Sequence, residues 1–176
     1  MSRTLKDLLA QGAEAAAAVS APGRPTLSHG ALRLLIETTL ARLNSLGLGR
    51  NDRVAIVLDN GPEMATCFLA CANGVASAPL NPSYRADEFE FYLSDLNAKA
   101  LIVGRGSASP AVDVALKLGV PIIDLVSDAA SPAGSFTLEP RQAGAATPAT
   151  NGGYAAPEDV SMVLHTSGTT SRPKIV

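Results

Sequence analysis

The pattern of apolar and polar residues predicts a helix in the first third of the chain and a buried strand directly after it. Leucine and isoleucine recur in steps of three and four from Leu32 to Leu46, which places them on one stripe of an α-helix. Ser28 precedes this stripe as a candidate N-cap, and Gly47 follows it as a stop signal. Residues 53–58 then form a short continuous apolar run with several β-branched side chains, which is typical of a strand buried on both faces.

The same pattern divides the chain from residue 62 to residue 125 into alternating helices and strands. Pro62 suits the first turn of a helix, and Gly74 suits its end. The predicted helices cover residues 62–73, 86–96 and 110–118, and the predicted strands cover residues 75–80, 100–103 and 120–125. Strands that alternate with helices of about ten residues indicate parallel β-α-β units with helices on both faces of the sheet. We therefore predict an α/β fold with a layered, mostly parallel sheet.

The character of the sequence changes after residue 125. Ala, Gly, Pro, Ser and Thr make up 23 of the 32 residues from 126 to 157, which favours a solvated connection that is mobile over residues 143–156. A short strand fits at 136–138, and a further strand is predicted over residues 159–164. The expected organisation is an α/β portion at 1–125, a connection at 126–157, and a strand with a terminal loop at 158–176. A length of 176 residues suits either one domain or a large piece of a bigger one.

Composition narrows the possible classes of function. The 176 residues are 47% apolar and 17% charged, with a net charge of −2, which is typical of a soluble globular chain and leaves no basic footprint for a nucleic acid. No run of about 18 uncharged apolar residues suggests a membrane span. Asp7 and Glu14 interrupt the apolar segment that a signal peptide needs. We expect a cytoplasmic protein.

Two further patterns have bland and functional interpretations. Cys67 and Cys71 share one face of a predicted helix, so half a metal site is conceivable. Buried thiols that act as small apolar groups are commoner, and no metal site is predicted. Gly104-Arg105-Gly106 follows a predicted strand, but Ser109 stands where a dinucleotide fingerprint has its third glycine. An ordinary strand-to-helix turn is therefore favoured there.

The terminal loop is the most informative segment. Residues 166–171 are all Ser, Thr or Gly, and Lys174 follows three positions later. Small donors, exposed backbone N–H groups and one positive charge are what a triphosphate needs. From composition alone, a polar hairpin or linker is as good an interpretation. The pattern is not that of the common nucleotide-hydrolase loop, because Pro173 precedes the lysine and Ile175 follows it.

The order of residues in this loop resembles the signature of a known family. Thr166-Ser167-Gly168-Thr169-Thr170-x-x-Pro173-Lys174 is similar to the phosphate-binding loop of adenylate-forming enzymes, a family that includes acyl-CoA synthetases, luciferases and peptide-synthetase adenylation domains. Residues 26–28, 53–56 and 73–82 resemble earlier segments of that family. Two positions depart from its pattern, since the family usually has Gly at Ser171 and at Ile175. Ser171-Arg172 resembles the variant of the oxalate–CoA ligase branch, and Ile175 would be strained if a positive φ were needed there.

The resemblance implies an ATP-dependent carboxylate–CoA ligase. Such an enzyme forms an acyl-adenylate from ATP, with Mg²⁺ as cofactor, and then transfers the acyl group to coenzyme A. The implied phosphate contacts are Thr166, Ser167, Gly168, Thr169, Thr170 and Lys174, with an electrostatic role. In the family, the nucleotide-base contacts, the acidic Mg²⁺ ligand, most of the acyl pocket and a catalytic lysine follow this loop. The resemblance therefore implies that the chain is an incomplete part of a larger domain, with no catalytic residue within the 176 residues. We also expect no activity of the chain alone, and apolar strands whose sheet face is not fully covered. The alternative is a non-catalytic α/β binding module that retains the scaffold.

Three more side chains have open interpretations, and the substrate acid is not specified by the sequence. Tyr84 and Arg85 follow a predicted turn and form either an aromatic and cationic pair for an acyl group or a solvated turn, which is favoured. His165 abuts the loop and either contacts phosphate or packs against its neighbours.

Overall fold

The structure, a computed structural model, describes residues 4–142, 146–166 and 173–176. Within these ranges the chain forms both helices and strands. The helices are α1 (Leu5–Leu9), α2 (His29–Ser45), α3 (Pro62–Ala72), α4 (Ala86–Asp95) and α5 (Pro110–Leu118). The strands are β1 (Ala17–Val19), β2 (Leu27–Ser28), β3 (Arg53–Val57), β4 (Ala76–Pro79), β5 (Ala100–Gly104), β6 (Ile122–Val126), β7 (Thr137–Pro140), β8 (His165–Thr166) and β9 (Lys174–Ile175).

The main sheet contains five strands in the order β4-β3-β5-β6-β7. The first four strands run parallel to one another, and β7 pairs antiparallel with β6. β1 pairs with β2, and β8 pairs with β9, each as a separate antiparallel ribbon. The predicted α/β fold with a mostly parallel sheet is confirmed.

Apolar side chains on both faces of the sheet form the core. Successive residues of a strand point to opposite faces, so Val54 and Ile56 of β3 pack with α2 and α3, while Ala55 and Val57 pack with α4 and α5. All four side chains are buried. The continuous apolar runs in the sequence are thus explained by helices that cover both faces.

Local capping signals define the helix ends well. The Ser28 hydroxyl accepts a hydrogen bond from the Ala31 N–H at 3.2 Å, which satisfies one of the free N–H groups at the start of α2. Gly119 ends α5 in the left-handed region, with φ of 69°, where a residue without Cβ is favoured. The other predicted helices, and strands β3 to β6, lie within about two residues of their predicted bounds.

The strand predicted over residues 159–164 is wrong as a continuous element. The chain runs beside β4 there but forms only one isolated parallel bridge, between Met162 and Ser77. A turn before this segment delays the pairing, because the Asp159 carboxylate accepts from the Ala156 N–H at 2.7 Å and from the Asn51 side chain at 2.8 Å. These bonds, together with the Arg50 guanidinium, lower the pKa of Asp159.

The described residues between 126 and 157 make more contacts with the rest of the domain than the composition of this segment suggests. Strand β7 adds to the sheet edge, and the Gly153 and Ala149 N–H groups donate to Asn44 of α2 at 2.7 and 2.9 Å. The Ala155 N–H donates to the Asn73 carbonyl at 2.7 Å. These contacts lie at single residues, so they leave no periodic pattern in the sequence.

Candidate phosphate-binding site

The described part of the terminal loop begins and ends in a short antiparallel ribbon. Its register pairs His165 with Ile175 and Thr166 with Lys174. The backbones of Leu164 and Val176 exchange two hydrogen bonds of 2.9 and 2.8 Å just outside the ribbon. The Thr166 hydroxyl donates to the Lys174 carbonyl at 3.4 Å. The chain that leaves at Thr166 therefore returns beside it at Lys174.

The chain reaches this ribbon alongside β4 of the main sheet. The Ser77 N–H donates to the Ser161 carbonyl at 3.0 Å, and the Val163 N–H donates to the Ser77 carbonyl at 2.9 Å. Because the Met162–Ser77 bridge is parallel, the next residues of the chain leave it in the direction of the carboxyl end of β4. Ligands of open α/β sheets bind outside the carboxyl ends of the strands, so the chain approaches the ribbon in the direction of that edge.

The side chain of His165, the first residue of β8, packs against α4. Its Nε2 lies 2.9 Å from Oδ2 of Asp95, and its side chain is only 5% exposed. The Tyr92 ring meets the imidazole edge-on, with 4.7 Å between centroids, and Tyr84 stacks on Tyr92 at 4.7 Å. Hydrogen bonding to Tyr84, followed by burial, raises the pKa of Tyr92 to about 12. Of the two interpretations for His165, the structure supports packing, since its ring is held against α4.

Two of the six sequence-predicted contact residues can be described. Thr166 and Lys174 are both exposed and are paired across the ribbon. Among residues 4–142, 146–166 and 173–176, no carboxylate forms an ion pair with Lys174, so its ammonium group is available to an anion. The other four, Ser167, Gly168, Thr169 and Thr170, lie outside the described residues.

The backbone of Ile175 does not have the positive φ that the family pattern would require, so this residue is not strained. It lies in β9, and the only non-glycine residues with positive φ among the described residues are Asn51 and Asn97. Its side chain is half-buried and packs against the core on the α4 side of the sheet. A β-branched residue suits this extended, partly buried position.

The remaining sequence-predicted candidates have structural explanations. Cys67 and Cys71 are both free and fully buried in α3, and hydrogen bonding to Cys71, followed by burial, raises the pKa of the Cys67 thiol well above its ordinary value. Arg85 is exposed and lies near the carboxylates of Asp87 and Glu88, at 3.4 and 3.6 Å. Tyr84 belongs to the aromatic stack rather than to a solvated turn.

A concave surface separate from the ribbon lies at the carboxyl ends of β3 and β5. It is an open cleft of about 460 Å³, lined by the residues that follow these strands, among them Asp59, Arg105 and Gly106. The chain leaves β3 for β4 through α3 on one face of the sheet and leaves β5 for β6 through α5 on the other face, so this is the point at which the connections diverge and an open sheet forms a crevice. Gly106 has a φ of 73°, and Ser109 caps α5 by accepting from the Ala111 N–H at 3.3 Å. The Gly104-Arg105-Gly106 segment therefore forms a strand-to-helix turn at the rim of the cleft.

Neither a metal-ligand cluster nor a membrane-spanning helix occurs in the described ranges. No group of three or more His, Cys, Asp or Glu side chains is arranged there to hold a metal ion. No helix within the same residues is long and apolar enough to cross a membrane.

Comparison with known proteins identifies the fold first. The crystal structure of ATP-bound MatB from Rhodopseudomonas palustris superposes with a TM-score of 0.62 at 23% identity, over 85% of this chain and 29% of that one. The chain therefore shares the fold of that part of MatB.

Sequence comparison then identifies the family. The family model named AMP-binding enzyme matches residues 7–176, and the chain belongs to this family. It is 38% identical to an oxalate–CoA ligase of Arabidopsis thaliana over 160 residues, which are 89% of this chain and 30% of that protein. It is 37% identical to an oxalate–CoA ligase of Saccharomyces cerevisiae, over 72% of this chain and 27% of that protein. The chain thus spans less than a third of the length of these relatives.

Proposed function

We propose that this chain is the N-terminal part of an ATP-dependent carboxylate–CoA ligase. On this proposal Thr166, Ser167, Gly168, Thr169, Thr170 and Lys174 contact the phosphates of ATP. Family membership and the names of the relatives support the reaction class. The observation that carries the assignment of the site is the ribbon in which exposed Thr166 lies opposite exposed Lys174, with the Ser-, Thr- and Gly-rich residues between them in sequence.

The proposed chemistry has two steps. A carboxylate oxygen attacks the α-phosphorus of ATP, which forms the acyl-adenylate and releases pyrophosphate. The thiol sulfur of coenzyme A then attacks the acyl carbon, and AMP leaves as the thioester forms. In the first step an anion approaches a polyanion, so hydroxyl and ammonium donors that are oriented in advance lower the barrier as charge develops on the leaving pyrophosphate. Lys174 would supply a point charge to that group, and Thr166 would supply a hydroxyl donor.

Within the described ranges no group of three or more potential ligands is arranged to hold a metal ion. Mg²⁺ enters the proposal as the counterion that ATP brings with it, since Mg²⁺ usually binds through substrate phosphates and only one or two carboxylates.

The finer parts of the proposal concern substrate, location and independence. Oxalate is the first acid to test, because two relatives are oxalate–CoA ligases and Ser171-Arg172 matches the loop variant of that branch. We place the enzyme in the cytoplasm, and we expect residues 1–176 alone not to catalyse adenylation. The division at residues 125 and 157 stays part of the same proposal.

The test is oxalate-dependent exchange of pyrophosphate into ATP by the full-length ligase that, on this proposal, contains the chain. Lys174→Ala should lower kcat/KM for ATP by about 10²-fold, as removal of one transition-state donor does elsewhere. Lys117→Ala is the matched control, because Lys117 of α5 is instead paired with Glu90 at 2.8 Å, and it should change the rate less than about twofold. Equal effects of the two substitutions would refute the site, and absence of exchange with every carboxylate tried would refute the reaction class.

A further inference from the structure

The contact between His165 and α4 lies directly next to the candidate site along the chain. His165 directly precedes Thr166, and its imidazole Nε2 lies 2.9 Å from a carboxylate oxygen of Asp95. The side chain of His165 is 5% exposed, whereas the side chains on either side of it in sequence, Leu164 and Thr166, are exposed. The chain here alternates as a strand does. One face is directed at the domain, and the other is open to a ligand.

Among the described residues, few other contacts hold the ribbon in position. Its two strands have two residues each, and the segment that leads into it pairs with the main sheet through a single bridge at Ser77. The inward-facing side chains must therefore supply much of the restraint. Val163 is buried in the core on the α4 side, and Ile175 packs against the same cluster. His165 lies two residues after Val163 and directly opposite Ile175 in the ribbon. Of these three side chains, only His165 makes a directional polar contact with a helix of the domain.

The placement of Asp95 supports this role. It is the last residue of α4, where the negative end of the helix dipole disfavours a carboxylate. An imidazole N–H at hydrogen-bond distance offsets that cost. The carboxylate is 41% exposed, and partly exposed pairs of this kind contribute only about 0–1 kcal/mol to stability. The contact is thus better suited to orienting the ribbon than to stabilising the domain as a whole.

An aromatic stack completes the support. Tyr92 meets the His165 ring edge-on, Tyr84 stacks on Tyr92, and Phe89 meets Tyr84 edge-on with 5.8 Å between centroids. Tyr84 follows β4, while Phe89 and Tyr92 belong to α4. The stack therefore joins two parts of the domain, α4 and the segment after β4, to the imidazole and restricts its rotation.

We propose that Asp95 and His165 form a positioning pair that sets the direction in which the chain enters the phosphate-binding loop. The pair does not touch the nucleotide. It fixes the backbone at residues 165–166, and thereby the Thr166 hydroxyl, to within the tolerance that a reacting phosphate requires. Its functional consequence rests on the function proposed above, but its effect on the ribbon does not.

The first experiment measures the ribbon alone, in the 176-residue chain. Asp95→Ala and His165→Phe each remove the polar contact, and the phenylalanine retains an aromatic ring. His165→Gln can restore a donor near the position of Nε2. Hydrogen exchange of the Leu164 and Val176 amides, which bond across the ribbon, should accelerate about tenfold or more in the first two variants and less than about threefold in His165→Gln. Asp87→Asn, an exposed acid on the same helix, should leave the exchange unchanged.

The second experiment measures ATP kinetics in the full-length ligase. Asp95→Ala and His165→Phe should lower kcat/KM for ATP about tenfold and leave KM for the carboxylate unchanged, and His165→Gln should recover most of the loss. Unchanged ribbon exchange in Asp95→Ala would overturn the proposal directly. Faster exchange with normal ATP kinetics would overturn the positioning role. A ligase that does not use ATP would refute the proposed function, and the exchange measurement would still decide whether the pair holds the ribbon.

Discussion

Arg24 provides the sharpest test of how the domain is held together. It follows the turn between β1 and β2, and its guanidinium donates to the carbonyl groups of Asp128, Ser131 and Pro132 at 3.1 to 3.3 Å. The same group forms an ion pair with Glu63 in the first turn of α3. The two charged side chains are only 16% and 20% exposed. One arginine therefore connects the N-terminal ribbon, α3 and the loop after β6.

The expected cost of Arg24→Ala follows from these contacts. Removing one partner of a buried ion pair costs about 3–5 kcal/mol. Partial exposure lowers this figure, because water reaches the remaining carboxylate. The Gly134 N–H, 3.3 Å from Glu63, also continues to donate to it. Three carbonyl groups lose a donor, at about 1 kcal/mol or less each when water can replace it. We expect a net loss of about 2–4 kcal/mol in the free energy of unfolding.

The measurement is urea unfolding of the 176-residue chain, followed by circular dichroism. Arg85→Ala is the matched control, since Arg85 is 78% exposed and pairs with Asp87 at the surface, and it should cost less than about 0.5 kcal/mol. Glu63→Gln should lie between the two, because it retains the acceptor for Gly134 but loses the charge. If Arg24→Ala and Arg85→Ala unfold at the same urea concentration, the reasoning about the buried network is wrong.

Three further predictions concern groups within the α2 and α3 layer. Thr66→Val should cost about 1–2 kcal/mol of unfolding free energy, because the buried hydroxyl donates to the Gly134 carbonyl at 2.7 Å; an unchanged urea midpoint would contradict this. Ser28→Ala should cost about 1 kcal/mol through loss of the N-cap, whereas Ser45→Ala, at the other end of α2, should cost less in the same assay. The raised pKa of Cys67 contributes stability that is complete below the pKa of the unfolded thiol, about 8.5, and is lost as pH rises above it. The unfolding free energy should therefore fall more steeply from pH 8 to pH 10 in the wild type than in Cys67→Ala, and equal slopes would count against the assignment.

Elements with local signals were predictable from the sequence. The N-cap at Ser28 and the glycine after α5 act on their own helix ends, so the sequence contains all the information that sets those bounds. The apolar runs that became β3 and β5 were recognisable because both faces of the sheet are covered. Strand β7 was expected over residues 136–138 and begins one residue later and ends two residues later than that, since an edge strand of four residues has little pattern of its own.

Elements that depend on distant partners were not predictable. The β1–β2 ribbon has no alternating apolar signal, and its pairing is secured by Arg24, whose partners are more than 100 residues away at Ser131 and 39 residues away at Glu63. The strand expected over residues 159–164 was overestimated for the same reason. Its apolar residues suit a strand, but the turn at Asp159 depends on Asn51, 108 residues away.

The candidate site shows the same division between local and distant information. The loop residues could be named from their order alone, whereas Asp95 could not, because it is separated from His165 by 70 residues. One signal was present in the sequence. His165 lies two positions after Val163, so a strand that buries one side chain directs the other to the same face. A polar residue on an inward face needs a partner, and the acid at the end of α4 supplies it.

The alternation of inward and outward side chains explains how one short ribbon can both hold a candidate site in position and contribute side chains to it. His165 and Ile175 face the domain, while Thr166 and Lys174, the next residues in register, face away from it. A substitution at an inward position therefore acts on a ligand only through the backbone, whereas a substitution at an outward position removes a donor outright. If Thr166 and Lys174 bind phosphate, Lys174→Ala should lower ATP turnover without changing hydrogen exchange at Leu164 and Val176. His165→Phe should change both. A ribbon that loosens equally in the two variants would show that the inward and outward faces are not separate in function.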